Sequence, residues 1–245
     1  MRTWQAAAAR AAYVISERGS PPENGKAGLR TAWLGAAGLA AAALLRSSFN
    51  AKAGSARFYL LTSSLAGTWT ASALGAGRIP LRDHCRPASR ADAARDLVII
   101  PVITGAASFA MFFAAGQVVR RHLLLRRVIG SVFHYADAGS TPLVVLIAAG
   151  SGVAEELYFH GALWSGPRPL RSTTLAYAVS TVAAGNPALV LAGIVTSLIF
   201  GWQRSATGGV AAPAVAHVTW SLLMLRFIPP LFRDPDRAEG SATVS

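Results

Sequence analysis

The stretch TPLVVLIAAGSGVAEELYFHGALW, residues 141–164, is an apolar run long enough to cross a membrane as a helix, since a span needs about 20 residues. Two adjacent carboxylates, Glu155 and Glu156, lie inside this run. A charged side chain at the centre of a bilayer costs about 2.5 kcal/mol or more, and such residues usually face the interior of a helix bundle. The stretch therefore predicts a membrane helix whose acidic pair serves a function.

The composition of the chain agrees with a membrane location. The 245 residues are 53% hydrophobic and 14% charged, whereas about a quarter of the residues of soluble domains are charged. The formal net charge of +12 comes mostly from basic residues between the apolar runs, which suit anionic lipid head groups. We find no nucleic-acid-binding signature and expect no nucleic-acid partner. The single cysteine, Cys85, excludes an intrachain disulfide and a zinc site made of several thiolates.

The predicted fold is an all-α, polytopic bundle of about seven transmembrane helices. Backbone groups in lipid must be hydrogen-bonded within their own segment, so every apolar run is expected to be helical. The runs cover residues 31–45, 58–76, 97–119, 141–164, 175–185, 188–202 and 210–228. The sequence Gly-Asn-Pro at 185–187 predicts a turn that makes the fifth and sixth runs a helical hairpin. One long kinked span is the alternative.

Four segments are predicted along the chain. Residues 1–30 form a cytoplasmic or interfacial segment, 31–135 the early transmembrane helices with basic loops, 136–232 the helical core that carries the site, and 233–245 a disordered tail. The basic loops include RRHLLLRR, residues 120–127, and His134. The preference for arginine over lysine and the abundant alanine indicate a bacterial protein, and hence the cytoplasmic membrane. The loop charges barely favour an internal N-terminus, and the oligomeric state is left open.

The late apolar runs carry pairs of residues spaced four apart, so that the members of each pair share one face of a helix. The pairs are Glu156 with His160, Phe200 with Arg204, and His217 with Ser221. Neighbours on a helix lie about 100° apart, so one glutamate can face a cavity while His160 holds the other. We also expect Gly150 and Gly152 to allow close packing of helices.

Depth in the membrane can be counted at about 1.5 Å per residue. Glu155 lies about 14 Å from the end of its run, and His217 lies about 11 Å into the last run. The predicted hairpin returns the chain to the same membrane face, so Glu155 and His217 are expected at similar depth and Arg204 nearer that face. If the fifth and sixth runs were one span, Arg204 would lie at the opposite face.

The order and spacing of these pairs resemble the CPBP family of intramembrane proteases, the CAAX-processing and bacteriocin-processing or Abi proteins. The family pattern is Glu-Glu-x-x-x-Arg, then Phe-x-x-x-His, then His-x-x-x-Asn or Asp, on separate late helices. The chain has EELYFH at 155–160, FGWQR at 200–204 and HVTWS at 217–221. His160 therefore stands in place of the arginine, Arg204 in place of the second-motif histidine, and Ser221 in place of the amide or acid.

The resemblance implies hydrolysis of peptide bonds of membrane-associated or lipid-anchored substrates in a cavity within the membrane. It implies that Glu155 is the general base that activates a water molecule and that Glu156 is a structural partner, here paired with His160. His217 would stabilise the oxyanion of the tetrahedral intermediate, with help from Ser221. Membrane lipids and a peptide or membrane-protein substrate are the expected partners.

The remaining assignments are less direct. Arg204, with His160 and Phe200, is a candidate for substrate or oxyanion binding. Arg204 could equally lie at the membrane interface and take no part in chemistry. Family members have been discussed as metalloproteases and as metal-independent proteases. A zinc site would need a set such as Glu155, His160 and His217, and because His160 shares its face with Glu156 we expect no metal and no other cofactor.

Two further functions are compatible with the sequence. Because Arg204 replaces a histidine, the chain could be a catalytically silent relative that acts as a membrane binding or immunity protein. Intramembrane acids also occur in proton relays, so a small transporter is a third hypothesis. It ranks last because the third and sixth runs contain few polar residues.

Overall fold

The computed structural model describes residues 24–81, 89–137 and 141–232. The predicted N-terminal segment up to residue 23, Cys85 and the predicted tail at 233–245 lie outside the described residues. Within them the fold is all-helical and contains no strand. The helices are α1 (Asn24–Phe49), α2 (Ala56–Gly75), α3 (Arg90–Ala94), α4 (Ile100–Val119), α5 (Leu123–Asp137), α6 (Thr141–Glu155), α7 (Pro169–Val182), α8 (Pro187–Thr207), α9 (Ala211–Phe227) and α10 (Pro229–Phe232), with π-helical turns at Arg95–Ile99 and Glu156–Ala162.

Among the described residues, 4 helical stretches are long and apolar enough to span a membrane. They are Ala27–Phe49, Ala91–Val119, Thr141–Ala162 and Pro187–Thr207. The chain is therefore an integral membrane protein. Helices α2, α7 and α9 coincide with other predicted apolar runs but do not meet the same combination of length and hydropathy. The total of about seven spans accordingly stays a prediction.

The hairpin between the fifth and sixth runs is confirmed. Helix α7 ends at Val182 and α8 begins at Pro187, and the two helices pack against each other. Gly185 has a φ of 70°, a left-handed conformation that glycine adopts without strain. Asn186 caps α8, because its side-chain oxygen accepts hydrogen bonds from the backbone N–H groups of Ala188 and Leu189. The alternative of one long kinked span is wrong.

Helix α5 was missed by the sequence analysis, which placed Arg126, Arg127 and His134 in a basic loop. That assignment is wrong because residues Leu123–Asp137 form an amphipathic helix. Its inner face packs on α10, where the rings of Phe133 and Phe232 stack with centroids 6.5 Å apart. Charged residues dilute the mean hydropathy of such a segment, so a search for uninterrupted apolar runs does not detect it.

Helices α1 and α2 brace the segment that carries the two glutamates. Trp69 of α2 packs against the aromatic rings of both Tyr158 and Phe159, with centroid separations of 4.2 and 5.1 Å. The Tyr158 hydroxyl donates to the backbone oxygen of Leu34 at 2.6 Å. These residues belong to one buried cluster, so the early helices form the wall behind the glutamates rather than a separate layer.

The last long helix, α9, is held very close to α4 at a single glycine. A Cβ atom added to Gly105 would lie 2.4 Å from the backbone oxygen of Ala216 and 2.8 Å from Cβ of Thr219. Both distances are far below van der Waals contact. Only glycine allows this approach, and Ala216 immediately precedes His217.

We predict that Gly105→Ala destabilises the protein, because the added methyl group must push α4 and α9 apart. Overpacking of this kind costs about 1–3 kcal/mol in the free energy of unfolding. The effect can be measured as a lower apparent melting temperature in detergent. Gly67→Ala is the matched control, since nothing lies within 4 Å of its Cβ position and alanine favours a helix. Equal melting temperatures for the two variants would contradict the close packing.

Candidate active site

The two glutamates lie where α6 changes into a π-helical turn. Glu155 is the last residue of α6 and Glu156 the first of the turn Glu156–Ala162. The wider turn is closed by the N–H of Leu163, which donates to the oxygen of Tyr158 at 2.8 Å. The helix thus ends before residue 164, where the apolar run was predicted to end. Such π-helical insertions are rare and often occur at functional sites.

Glu156 is fully buried, and its carboxylate accepts from two imidazoles. Nδ1 of His160 lies 2.5 Å from Oε2, and Nδ1 of His217 lies 2.9 Å from Oε1. His160 comes from the same turn, whereas His217 comes from α9. The pairing of Glu156 with His160, predicted from their spacing, is therefore present. The same carboxylate also binds His217, the first residue of the third motif.

This geometry fixes the tautomers of both histidines. An ionised carboxylate only accepts hydrogen bonds, so each Nδ1 must carry a proton. In the neutral imidazole the other nitrogen, Nε2, is then an acceptor. Nε2 of His160 lies 3.4 Å from the hydroxyl of Ser197. Nε2 of His217 points instead toward Glu155, 3.9 Å from Oε2.

Glu155 occupies a different environment from its neighbour. Its side chain is 23% exposed, against 1% for Glu156. The hydroxyl of Tyr177, on α7, donates to Oε2 of Glu155. Sequence reasoning missed Tyr177 because it belongs to no motif. The only available signal was a phenol within an apolar run, where a buried hydroxyl needs a partner.

A cavity of about 340 Å³ opens beside Glu155. Tyr177, His217 and Ser221 also line it, together with the indole of Trp220. Its volume falls in the lower part of the range of pockets that hold small ligands, about 300–1,000 Å³. Three predicted site residues, Glu155, His217 and Ser221, thus line one cavity from two different helices.

The two glycines of α6 differ in role. A Cβ atom on Gly152 would lie 3.2 Å from Cδ2 of His217, so the glycine leaves room for the imidazole beside Glu155. Gly150 has nothing within 4 Å of its Cβ position. The prediction of close packing is therefore confirmed for Gly152 and wrong for Gly150.

Residues 137–223 match the Rce1-like family of type II CAAX prenyl endopeptidases. The resemblance to CPBP proteases that the three motifs indicated is thereby confirmed over this region. The match extends from the end of α5 into α9 and includes every predicted site residue. Neither a curated protein nor a solved structure matches the chain.

Phe200, the first residue of the second motif, lies inside the Rce1-like region. It does not line the cavity. It is buried, and its ring packs on that of His217 with centroids 5.0 Å apart. His160 is likewise buried behind Glu156. Phe200 therefore packs against His217, and His160 binds Glu156.

Arg204 lies in the last turn of α8 and is enclosed by the helix bundle rather than exposed on its surface. The residue is buried, and its Nε donates to the backbone oxygen of His160 at 2.9 Å. Its guanidinium lies 5.7 Å from the ring centroid of Trp164. From α1, Arg30 donates to the backbone oxygen of Ala162. Two arginines from distant helices therefore satisfy carbonyl groups of the π-helical turn, which explains why Arg204 is buried.

The three residues considered as zinc ligands from the sequence, Glu155, His160 and His217, do not point to one position. Nδ1 of His160 faces Glu156 and its Nε2 faces Ser197, so neither nitrogen is directed at Glu155. Within residues 24–81, 89–137 and 141–232, no three His, Cys, Asp or Glu side chains are grouped as metal ligands. The arrangement of the described side chains therefore does not fit zinc, and the acidic pair has hydrogen-bond partners of its own.

We predict that Glu156→Gln destabilises the Rce1-like region. The amide oxygen can accept from one imidazole, but its NH₂ group then meets the N–H of the other, so that ring must either lose this bond or shift its proton to Nε2. A buried donor without a partner costs about 1–3 kcal/mol in the free energy of unfolding. The matched control is Glu155→Gln, whose amide oxygen can still accept from Tyr177. Thermal unfolding in detergent should show a clear loss for Glu156→Gln only, and a similar loss in both variants would contradict the assigned bonding.

Proposed function

We propose that the protein is an intramembrane endopeptidase that hydrolyses peptide bonds of membrane-associated or lipid-anchored substrates, with Glu155 as the general base. The observation that carries this proposal is the different environment of the two glutamates. The carboxylate of Glu156 is occupied by two imidazoles, whereas Glu155 lines the cavity with Nε2 of His217 3.9 Å away. The match to Rce1-like endopeptidases supports the reaction type.

The proposed reaction begins with a water molecule in the cavity beside Glu155 and His217. Glu155 removes a proton as the water oxygen attacks the carbonyl carbon of the scissile peptide bond. The carbon–nitrogen bond of the tetrahedral intermediate then breaks, and Glu155 returns the proton to the leaving amine. Base and acid roles thus fall on the same carboxyl group in successive steps.

His217 and Ser221 are proposed to stabilise the oxyanion of that intermediate. Because Nδ1 of His217 donates to Glu156, its Nε2 can donate to an oxyanion only in the doubly protonated ring. The buried Glu156 carboxylate favours that positive charge. The Ser221 hydroxyl lies on the same cavity wall and supplies a second donor. Glu156 therefore has a positioning and an electrostatic role.

The other candidate residues are proposed to act indirectly. Phe200 packs against the His217 ring, His160 completes the bonding of Glu156, and Arg204 holds the carbonyl group of His160. We propose no direct contact of these three with substrate and no metal or other cofactor. The protein is proposed to work in a bacterial cytoplasmic membrane, as a bundle of about seven spans.

The proposal predicts that Glu155→Gln lowers kcat by about 10²–10⁴-fold, the usual contribution of a general base. The measurement is cleavage of a pooled peptide library by the purified protein in detergent at pH 7, with and without a chelator. Asp96→Asn makes the same chemical change on an exposed side chain and should keep full activity. Undiminished cleavage by Glu155→Gln would refute the assigned base, and loss of wild-type activity with the chelator would refute a metal-independent reaction.

A second candidate function is that of a catalytically silent relative that binds a membrane partner. It is favoured by Arg204, which stands at the family's second histidine and is engaged with the backbone of His160. In this case the wild-type protein cleaves nothing, while a family member with all three complete motifs cuts the same library.

A further inference from the structure

Tyr177 is the only described side chain for which the structure gives a hydrogen bond to the carboxylate of Glu155. It lies on α7, apart from the three motifs, and lines the same cavity as Glu155 and His217. We infer that Tyr177 is a positioning residue that orients Glu155 for removing a proton from water. This inference rests on the proposed function.

The side chain of Glu155 has several rotamers available to it. Unless something holds it, a carboxylate that faces a cavity exchanges between rotamers and presents either oxygen to the cavity. The Tyr177 hydroxyl binds Oε2, and the same oxygen is the one nearest His217. The Tyr177 hydroxyl therefore fixes Oε2 on the side of the carboxylate that faces His217. The second oxygen, Oε1, is left to accept a proton from water.

Tyr177 can act in this way because its own ring is immobilised. The ring packs on Phe159, with centroids 4.5 Å apart. Gly193 of α8 also packs against the ring, since an added Cβ would be 2.8 Å from Cε1 of Tyr177. The ring of Tyr177 is thus packed against both the π-helical turn and α8. A rigid donor holds its acceptor more precisely than a mobile one does.

Loss of the Tyr177 hydroxyl is expected to lower the reaction rate rather than the affinity for substrate. A general base must lie within about 2.6–3.2 Å of the water it deprotonates. Misplacement of a reacting group by about 1 Å can cost about 100-fold in rate. The Tyr177 hydroxyl is bound to Glu155, so removing it changes the position of the base, and we expect ground-state binding of the peptide to be retained. A purely structural role would instead lower the amount of folded protein and leave kcat unchanged.

The first test compares Tyr177→Phe with wild type per mole of folded protein. We expect kcat to fall by about 100-fold and KM to stay within about threefold. A change in kcat without a change in KM indicates that the residue positions the base rather than binds the substrate. Gly193→Ala should also lower kcat, because the methyl group displaces the ring while the hydroxyl remains. Tyr158→Phe is the matched control, since it removes a buried phenol that bonds to Leu34 outside the cavity, and should leave kcat unchanged.

The second test does not require activity. The infrared difference between wild type and Glu155→Gln isolates the carboxylate band of Glu155. The same difference between Tyr177→Phe and the Tyr177→Phe/Glu155→Gln double variant should show this band displaced. An unmoved band, or wild-type kcat in Tyr177→Phe, would overturn the inference. If the wild type cleaves no peptide, the proposed function fails, and the band still decides whether Tyr177 holds Glu155.

Discussion

The carboxylate of Glu156, with one imidazole on each oxygen, is the interaction on which the rest of the site depends. An isolated charge buried away from water is very costly, and it is tolerated when it is paired and fully hydrogen-bonded. The two partners come from the π-helical turn and from α9, so satisfying one carboxylate joins two segments. The same bonds set the tautomer of His217 and direct its Nε2 toward Glu155. Local electrostatics thereby determines the packing of the late helices.

The backbone around Glu156 imposes a second constraint. A π-helical turn shifts the hydrogen-bond pattern, and Arg30 and Arg204 donate to the oxygens of Ala162 and His160. The guanidinium groups come from α1 and α8, so the turn is tied to the early and the late helices alike. Arg204 is thus buried where it donates to a carbonyl group of the turn.

Much of this arrangement could be predicted from the sequence, because it follows from spacing on helices. Glu156 and His160 lie four residues apart, and counting along the hairpin brought Glu155 and His217 to a similar depth. The sequence could not reveal Tyr177, since its partner lies on another helix and no periodic pattern marks a single phenol. The burial of Arg204 was equally hidden, because its acceptor is a carbonyl group of the π-helical turn. Helix α5 escaped detection because its charges mask its apolar face.

The pairing of Glu156 with His160 also has a consequence for biosynthesis. His217 is separated from Glu156 by 61 residues, so it has not yet been made when α6 first leaves the ribosome. His160 belongs to the same turn and emerges almost together with the carboxylate. A local imidazole can therefore accompany the acid into the bilayer during synthesis. The distant one completes the bonding only when the last long helix has been inserted, so the cavity acquires its full set of groups at the end of assembly.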